Sequence, residues 1–392
     1  MKIRTLLSTA LACTLMQAGP LTADKAEQQL ADGFHSVFRQ TIAEENITGA
    51  AYAVVTPTQI IRIGTAGHTD TGRNKAINEN TAFRVASVSK TFAAGLAGVL
   101  VSEGEFSWGD RLIDYVPDFR VDGDSSQVRI EHLLGQSTGL IPHAYDNLIE
   151  DGLSMDRIRK QFSNLPYICN PGDCYSYQNG IFSLIEPVIE KTTSRSYEEM
   201  MVEKIFRPLD MRDASVGYES FINNPNHAKP HVKSRGQWKT VKVKPNYYRV
   251  APAAGVNASA LDMGKWLMAQ LGAHPEVLGP DVVRTLTEPR VYTARDKRRK
   301  YWRDMLSDAH YGLGWRIYQL GDEEIVYHSG WVSGFRADVA WSEKYQVGLA
   351  VLMNVESSDI SELTTTFWRM AFKDLSAAPQ GTEVATLAAP SP

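Results

Sequence analysis

The chain has 392 residues, 43% of them hydrophobic and 22% charged, with a net charge of −4 and a mean hydropathy of −0.26. These values suit a soluble globular protein of one large domain or two subdomains, and they offer no overall basic field for nucleic acid. Beyond the N-terminus no apolar run is long enough to span a bilayer.

The N-terminus has the layout of an export signal, residues 1–23. Lys2 and Arg4 form the charged end, Leu6 to Met16 is apolar, Gly19-Pro20 breaks the run, and Leu21-Thr22-Ala23 offers a cleavage site before Asp24. Cys13 follows Leu11-Ala12, a faint lipoprotein feature, but apolar sequence continues past it, which favours simple export to the periplasm or medium. Residues 25–44 then carry Leu30, Phe34, Val37, Phe38 and Ile42 at helical spacing. "GAAYAVVT" and "QIIRIGTAG" follow as two strands with Pro57-Thr58 between them, a hairpin. A helix starts near Ser87, and the stretch from about 88 to 254 reads as mainly helix and loop. Four strand-like runs come next, "YGLGWRIY", "EIVYHSG", "FRADVAWS" and "QVGLAVLMN", and the helix "ISELTTTFWRMAFKDL" closes the domain. The economical architecture is α+β: one antiparallel sheet built from both chain ends (about 24–87 and 255–375), flanked by helices, with a mainly helical subdomain inserted. The Ala/Pro-rich stretch 376–392 has no apolar face and reads as a disordered tail.

Ser87 and Lys90 stand three apart at the head of "SVSKTFAAGLAGVLV". On a helix that spacing puts both on one face. From Phe92 to Val101 there is no charge, so the helix is expected to be buried nearly all round. A buried lysine is costly unless it has a purpose, and desolvation turns the amine towards a base. The bland alternative is a helix cap and a surface lysine. Tyr-x-Asn occurs at Tyr145-Asp146-Asn147, in a polar loop, and at Tyr177-Gln178-Asn179, between a tight turn and an apolar helix. The second copy has the better-fixed place; a phenol near an ammonium can act as base, and an Asn can bind a substrate amide. His-x-Gly occurs at His310-Tyr311-Gly312 and at His328-Ser329-Gly330, the latter at a strand end where a glycine lets a substrate backbone lie close. Trp331 follows, and its N–H is placed to share an oxyanion with that of Ser87. A rival nucleophile, Ser137 in "GQSTG", lacks the hydrophobic strand before it and the helix after it that a nucleophile elbow needs.

Cys169 and Cys174 flank Pro171-Gly172, a turn that brings them within bridging reach; a disulfide is expected in an oxidising compartment. Without further Cys or paired His there is no zinc set. "ARDKRRKYWR", residues 294–303, packs six basic residues into ten; it reads as a solvated face, with a site for an anionic wall polymer or lipid headgroup as the functional alternative.

"SVSK", "YQN" and "HSG" in that order resemble the serine β-lactamase-like superfamily: class C β-lactamases, D-alanyl-D-alanine carboxypeptidases and related esterases. "HLLGQSTGL", "IFRPLDM", "APAAGVNASALDMGKWL" and "HYGLGW" add to the likeness, which covers about residues 30–372. The resemblance implies that Ser87 forms an acyl-enzyme, that Lys90 and Tyr177 manage the proton, and that Asn179 holds a substrate amide. It places Ser329, Gly330 and Trp331 on the substrate-binding strand and "GQSTG" in a loop. His328 departs from the lysine usual in class C enzymes and would carry charge only part of the time at neutral pH. The expected function is therefore an exported serine hydrolase of amide or ester bonds, nearest the penicillin-recognising D,D-peptidases. A carboxylesterase and a penicillin-binding sensor that acylates once are the alternatives. No metal or organic cofactor is implied; the expected partners are a D-amino-acid peptide, β-lactam or ester and peptidoglycan, with no nucleic acid, and the protein is expected to be a monomer.

Overall fold

The structure, a computed structural model, describes residues 23–376. All but the last residue of the expected export signal, Cys13 included, and all but the first residue of the expected tail lie outside the described residues. No helix among the described residues is long and apolar enough to cross a membrane.

Eight strands form one antiparallel sheet. In spatial order they are Ile60–Gly67, Gly49–Val55, Val347–Met353, Phe335–Ser342, Glu323–Val332, Arg316–Leu320, Asp308–Tyr311 and Val291–Tyr292. The first hairpin closes against the last strand, with Ala50 opposite Met353 and Val54 opposite Leu349. The sheet is thus drawn from both chain ends.

The strand Gly49–Val55 shows why. All seven residues are buried, because helices cover both faces. Ala50, Tyr52 and Val54 face a core shared with the helices Ala23–Glu44 and Asp359–Ser376, where Phe34 and Phe38 meet the Tyr52 ring edge-on at 4.9 and 4.7 Å. Ala51, Ala53 and Val55 face the second core, with Phe92, Leu96 and Trp266. Burying such side chains contributes roughly 1.5–3 kcal/mol each, and a one-residue slip in register would exchange the two sets.

The helix Ser89–Ser102 crosses this second core, and every residue from Ser89 to Leu100 is buried. Phe92 stacks on Trp266 at 4.3 Å, and a methyl at Gly95 would meet that indole at 2.6 Å. The apolar run without charge therefore has no solvent face to specify. Most of the chain between residues 89 and 254 is short helices and loops, with a two-stranded hairpin at His231–Ser234 and Gln237–Thr240.

Two elements differ from the sequence reading. The run "YGLGWRIY" is two antiparallel strands, Asp308–Tyr311 and Arg316–Leu320, joined by a turn. Gly314 makes that turn at φ +74°, and any side chain there would strike Ala94 and the Lys90 carbonyl. The basic stretch is not a free solvated face. Its buried members, Asp296 and Trp302, fold it against the sheet, with Trp302 packed edge-on to Tyr318 at 5.1 Å.

Candidate active site

Ser87 lies in the one-turn 3-10 segment Ala86–Val88, just before the long helix rather than in its first turn. Ala86 holds a left-handed φ of 51°, a conformation that an alanine adopts only when its surroundings enforce it. Those surroundings are visible. The Ser89 hydroxyl accepts the Val256 N–H at 2.9 Å, and the Val85 N–H bonds to the Val256 carbonyl at 3.2 Å, so the turn is tied on both sides to the strand Val256–Ala258. On the other side lies Gly330. A methyl at that position would collide with the Val85 carbonyl oxygen, so only glycine lets the strand Glu323–Val332 approach the serine turn.

Lys90 is fully buried beneath Ser87. Its Nζ donates to Asn179 Oδ1 at 2.7 Å, to the Ala253 carbonyl at 3.1 Å and towards Ser87 Oγ at 3.4 Å. The Tyr177 ring centroid is 4.6 Å from it. Burial pulls the Lys90 pKa below its ordinary 10.5; Tyr177 and Asp146 resist that shift, and Arg316 adds to it. Asn179 is held from its other end as well, its Nδ2 donating to Asp146 Oδ2 at 2.9 Å. Asp146 in turn meets His143 Nδ1 at 2.9 Å. The structure thus joins Ser87, Lys90, Tyr177 and Asn179 as the motifs imply, and it adds Asp146, from the discarded copy of Tyr-x-Asn.

His328 is placed differently from expectation. It is buried behind the wall of the cavity, where the sequence reading put a part-time cation facing substrate. Its Nδ1 lies 2.9 Å from the Ser329 carbonyl, which can only accept, so Nδ1 carries the hydrogen. Nε2 then accepts from the Tyr311 hydroxyl at 3.1 Å. Burial, with the cations Arg316 and Lys90 nearby, pushes the imidazole well below 6.5, so it stays neutral. Tyr311 belongs to the other discarded motif, His310-Tyr311-Gly312.

Positive charge reaches the site by another route. Arg316, on the neighbouring strand, lines the cavity and is ion-paired to Asp296. Arg299 donates to Ser329 Oγ at 3.0 Å and to the Tyr318 hydroxyl at 3.2 Å. Both Asp296 and Arg299 come from the basic stretch, which thereby forms one wall of the site. Ser87, Tyr177, Asn179, Ser329 and the exposed Trp331 line the same cavity, about 940 Å³ in volume. Ser137 lies outside that lining. A five-residue helix, Ile130–Leu134, leads into its loop where an elbow needs a strand, and the loop braces the tyrosine segment through the Ser176 N–H to Gln136 carbonyl bond at 2.7 Å. Cys169 and Cys174 are joined in a disulfide just before that segment. Among the described residues no cluster of His, Cys, Asp or Glu is arranged to hold a metal ion.

The Beta-lactamase family model matches residues 34–367. The chain belongs to the Beta-lactamase family. Among curated relatives, protein flp of Staphylococcus aureus (strain COL) is 22% identical over 362 residues, covering 88% of this chain and 66% of its own length. The Beta-lactamase of Escherichia coli (strain K12) is 24% identical over 306 residues, covering 78% of this chain and 75% of its own. The fold matches that of the octameric penicillin-binding protein homologue from Pyrococcus abyssi with a TM-score of 0.76 at 20% identity, over 88% of this chain and 77% of that one. The mixed architecture with its large antiparallel sheet is the fold of that family, as the motifs implied.

Proposed function

We propose that this Beta-lactamase family member is an exported serine hydrolase that cleaves amide or ester bonds through a Ser87 acyl-enzyme, with D-amino-acid peptides and β-lactams as the preferred acyl donors. One observation carries the reading: the three-way geometry at Lys90 Nζ. Asn179 Oδ1 and the Ala253 carbonyl are acceptors only, and they occupy two directions. The third direction faces Ser87 Oγ, a group that can give a proton. A neutral amine donates twice and accepts once, so this arrangement suits Lys90 as the base that takes the Ser87 proton while Oγ attacks a carbonyl. Burial, which favours the neutral amine, supports the same assignment. Tyr177, beside the amine, is positioned to pass the proton on to the leaving group. The tetrahedral oxyanion is assigned to the N–H groups of Ser87 and Trp331. Beyond Tyr327 the strand Glu323–Val332 has a sheet neighbour on one side only, which leaves a free backbone edge for an extended substrate.

The neutral His328 taken alone would favour the esterase alternative, and the arginines weigh against it. Arg316 and Arg299 with Ser329 offer a substrate carboxylate the charge that His328 lacks, which favours peptides and β-lactams over simple esters. Water deacylates the enzyme, in contrast to a sensor that stops after one event. The test is acylation and turnover of a fluorescent penicillin, nitrocefin, a D-Ala-D-Ala peptide and a p-nitrophenyl ester. Wild type is expected to release product beyond one equivalent. Ser87→Ala is expected to abolish acylation, and Lys90→Met to cut kcat by about 10²–10⁴. Turnover surviving in Ser87→Ala would refute the assignment; a burst that stops at one equivalent would make the protein a sensor.

A further inference from the structure

Arg84 is the buried group that the chemistry above does not use. It is 3% exposed and lines the cavity three residues before Ser87. One of its nitrogens, Nη1, donates to the Lys244 carbonyl at 3.3 Å; Nε and Nη2 are buried without a partner among the described residues. Its guanidinium lies over the Tyr248 ring at 4.0 Å, and no carboxylate pairs with it among the described residues. A buried cation left without an anion is costly, and charge in a low-dielectric wall acts strongly on whatever occupies the adjacent space. Lys244 and Arg336 line the same cavity. Lys244 is exposed, and its backbone is the one that Arg84 holds. Arg336 stands on the strand Phe335–Ser342, which packs beside Phe83–Arg84, and its guanidinium lies 5.1 Å from the Trp331 ring at the mouth. Neither has a carboxylate partner among the described residues. Two acids line the cavity here: Glu356 already accepts the Gly334 N–H at 2.7 Å, and Glu150 accepts the Tyr247 hydroxyl at 3.2 Å.

We infer that Arg84, Lys244 and Arg336 form a second anion-binding subsite, which takes an oxyanion group of the substrate, carboxylate or phosphate. Arg336 and Lys244 make the direct contacts, and Arg84 supplies the field from behind. The inference rests on the acyl-enzyme reading for its place in the substrate: Arg84, Lys244 and Arg336 line the same cavity as Ser87, and the three-residue chain separation keeps the Arg84 and Ser87 Cα atoms within about 11 Å. The substrate is then one with an additional negative charge close to the scissile carbonyl, apart from any group held by Arg316 and Arg299.

Binding to the full-length Ser87→Ala protein tests this without catalysis. Glutarate, inorganic phosphate and neutral glutaramide are titrated by calorimetry. Glutarate or phosphate is expected to bind and glutaramide not, and the preference between the two anions identifies the group. The added double change Arg336→Gln with Lys244→Ala, both positions outside the core, is expected to weaken the anion at least about tenfold, whereas Arg295→Gln on the opposite wall changes it less than about twofold. Arg84→Lys, which keeps the charge and loses the fork, falls between them. Failure of both anions to bind, or an equal or larger loss in Arg295→Gln, overturns the subsite. A failed nucleophile assignment shows separately, as ester turnover by Ser87→Ala with anion binding intact.

Discussion

Asp146 touches no reacting atom, yet its charge reaches Lys90 through Asn179. It raises the lysine pKa against the larger effect of burial. Replacing it with Asn removes that support, so the free amine persists to lower pH. The acid limb of the pH profile of kcat/KM is expected to move to lower pH in Asp146→Asn. kcat is expected to fall about tenfold as Asn179 loses a charge-assisted bond. A limb that stays put, or moves up, contradicts the link. Gly330→Ala tests close approach. Its methyl forces the strand away from Val85, and a displacement on that scale is expected to cost about a hundredfold in kcat/KM, with a melting curve to show that the protein still folds. Ser87, Lys90, Tyr177 and Asn179 were legible because their spacing and apolar flanks mark them locally. Asp146, Arg299, Arg316 and Arg84 were not, since their roles arise from partners far off in the chain, and a charge in a loop looks solvated until the loop is folded. His328 was legible as a residue and misjudged as a cation, because burial beside Arg316 and Lys90 cannot be read from "HSG".

The segment that carries Tyr177 is held by a turn, a loop and a crosslink. The Gly172 N–H bonds to the Ser137 carbonyl at 2.7 Å, the His143 N–H to the Tyr177 carbonyl at 2.7 Å, and the Cys169–Cys174 bond closes the turn between. Closing so short a loop restricts the unfolded chain, and changing both cysteines to serine is expected to cost about 2 kcal/mol, read as a fall in the urea midpoint with unchanged slope. An unchanged midpoint would show that the turn is set by its hydrogen bonds alone. The hairpin, the buried helix and the closing helix followed from periodicity and length. The strands Val291–Tyr292 and Asp308–Tyr311 did not, because one is two residues long and the other runs into a glycine turn that imitates a continuous strand.

Among the described residues, the buried carboxyls of Asp338 and Asp262 and the half-buried one of Glu186 resist ionisation. Burial raises Asp338 and Asp262 to about 6 and Glu186 to about 7. The folded state therefore keeps protons that the unfolded chain loses above pH of about 4. The stability these groups contribute is complete below that value and is lost as pH rises through 6 to 7. His328 and Lys90, both lowered, act in the opposite sense and favour the folded state as pH rises. Asp338→Asn keeps an acceptor for the Thr364 hydroxyl at 2.9 Å and removes the titration. It is expected to flatten the decline in unfolding free energy between about pH 4 and 7; a curve parallel to wild type would show that Asp338 ionises freely in the fold.

The pairing of Ala50 with Met353 sets the order of assembly. During translation the Gly49–Val55 strand emerges with an apolar edge before its central partner, Val347–Met353, which follows all the other strands of the sheet in the chain. A growing polypeptide therefore cannot complete its sheet until that strand has been made. Such distant pairing makes for slow closure and leaves that edge open to chaperones, or to its own kind, in the interval.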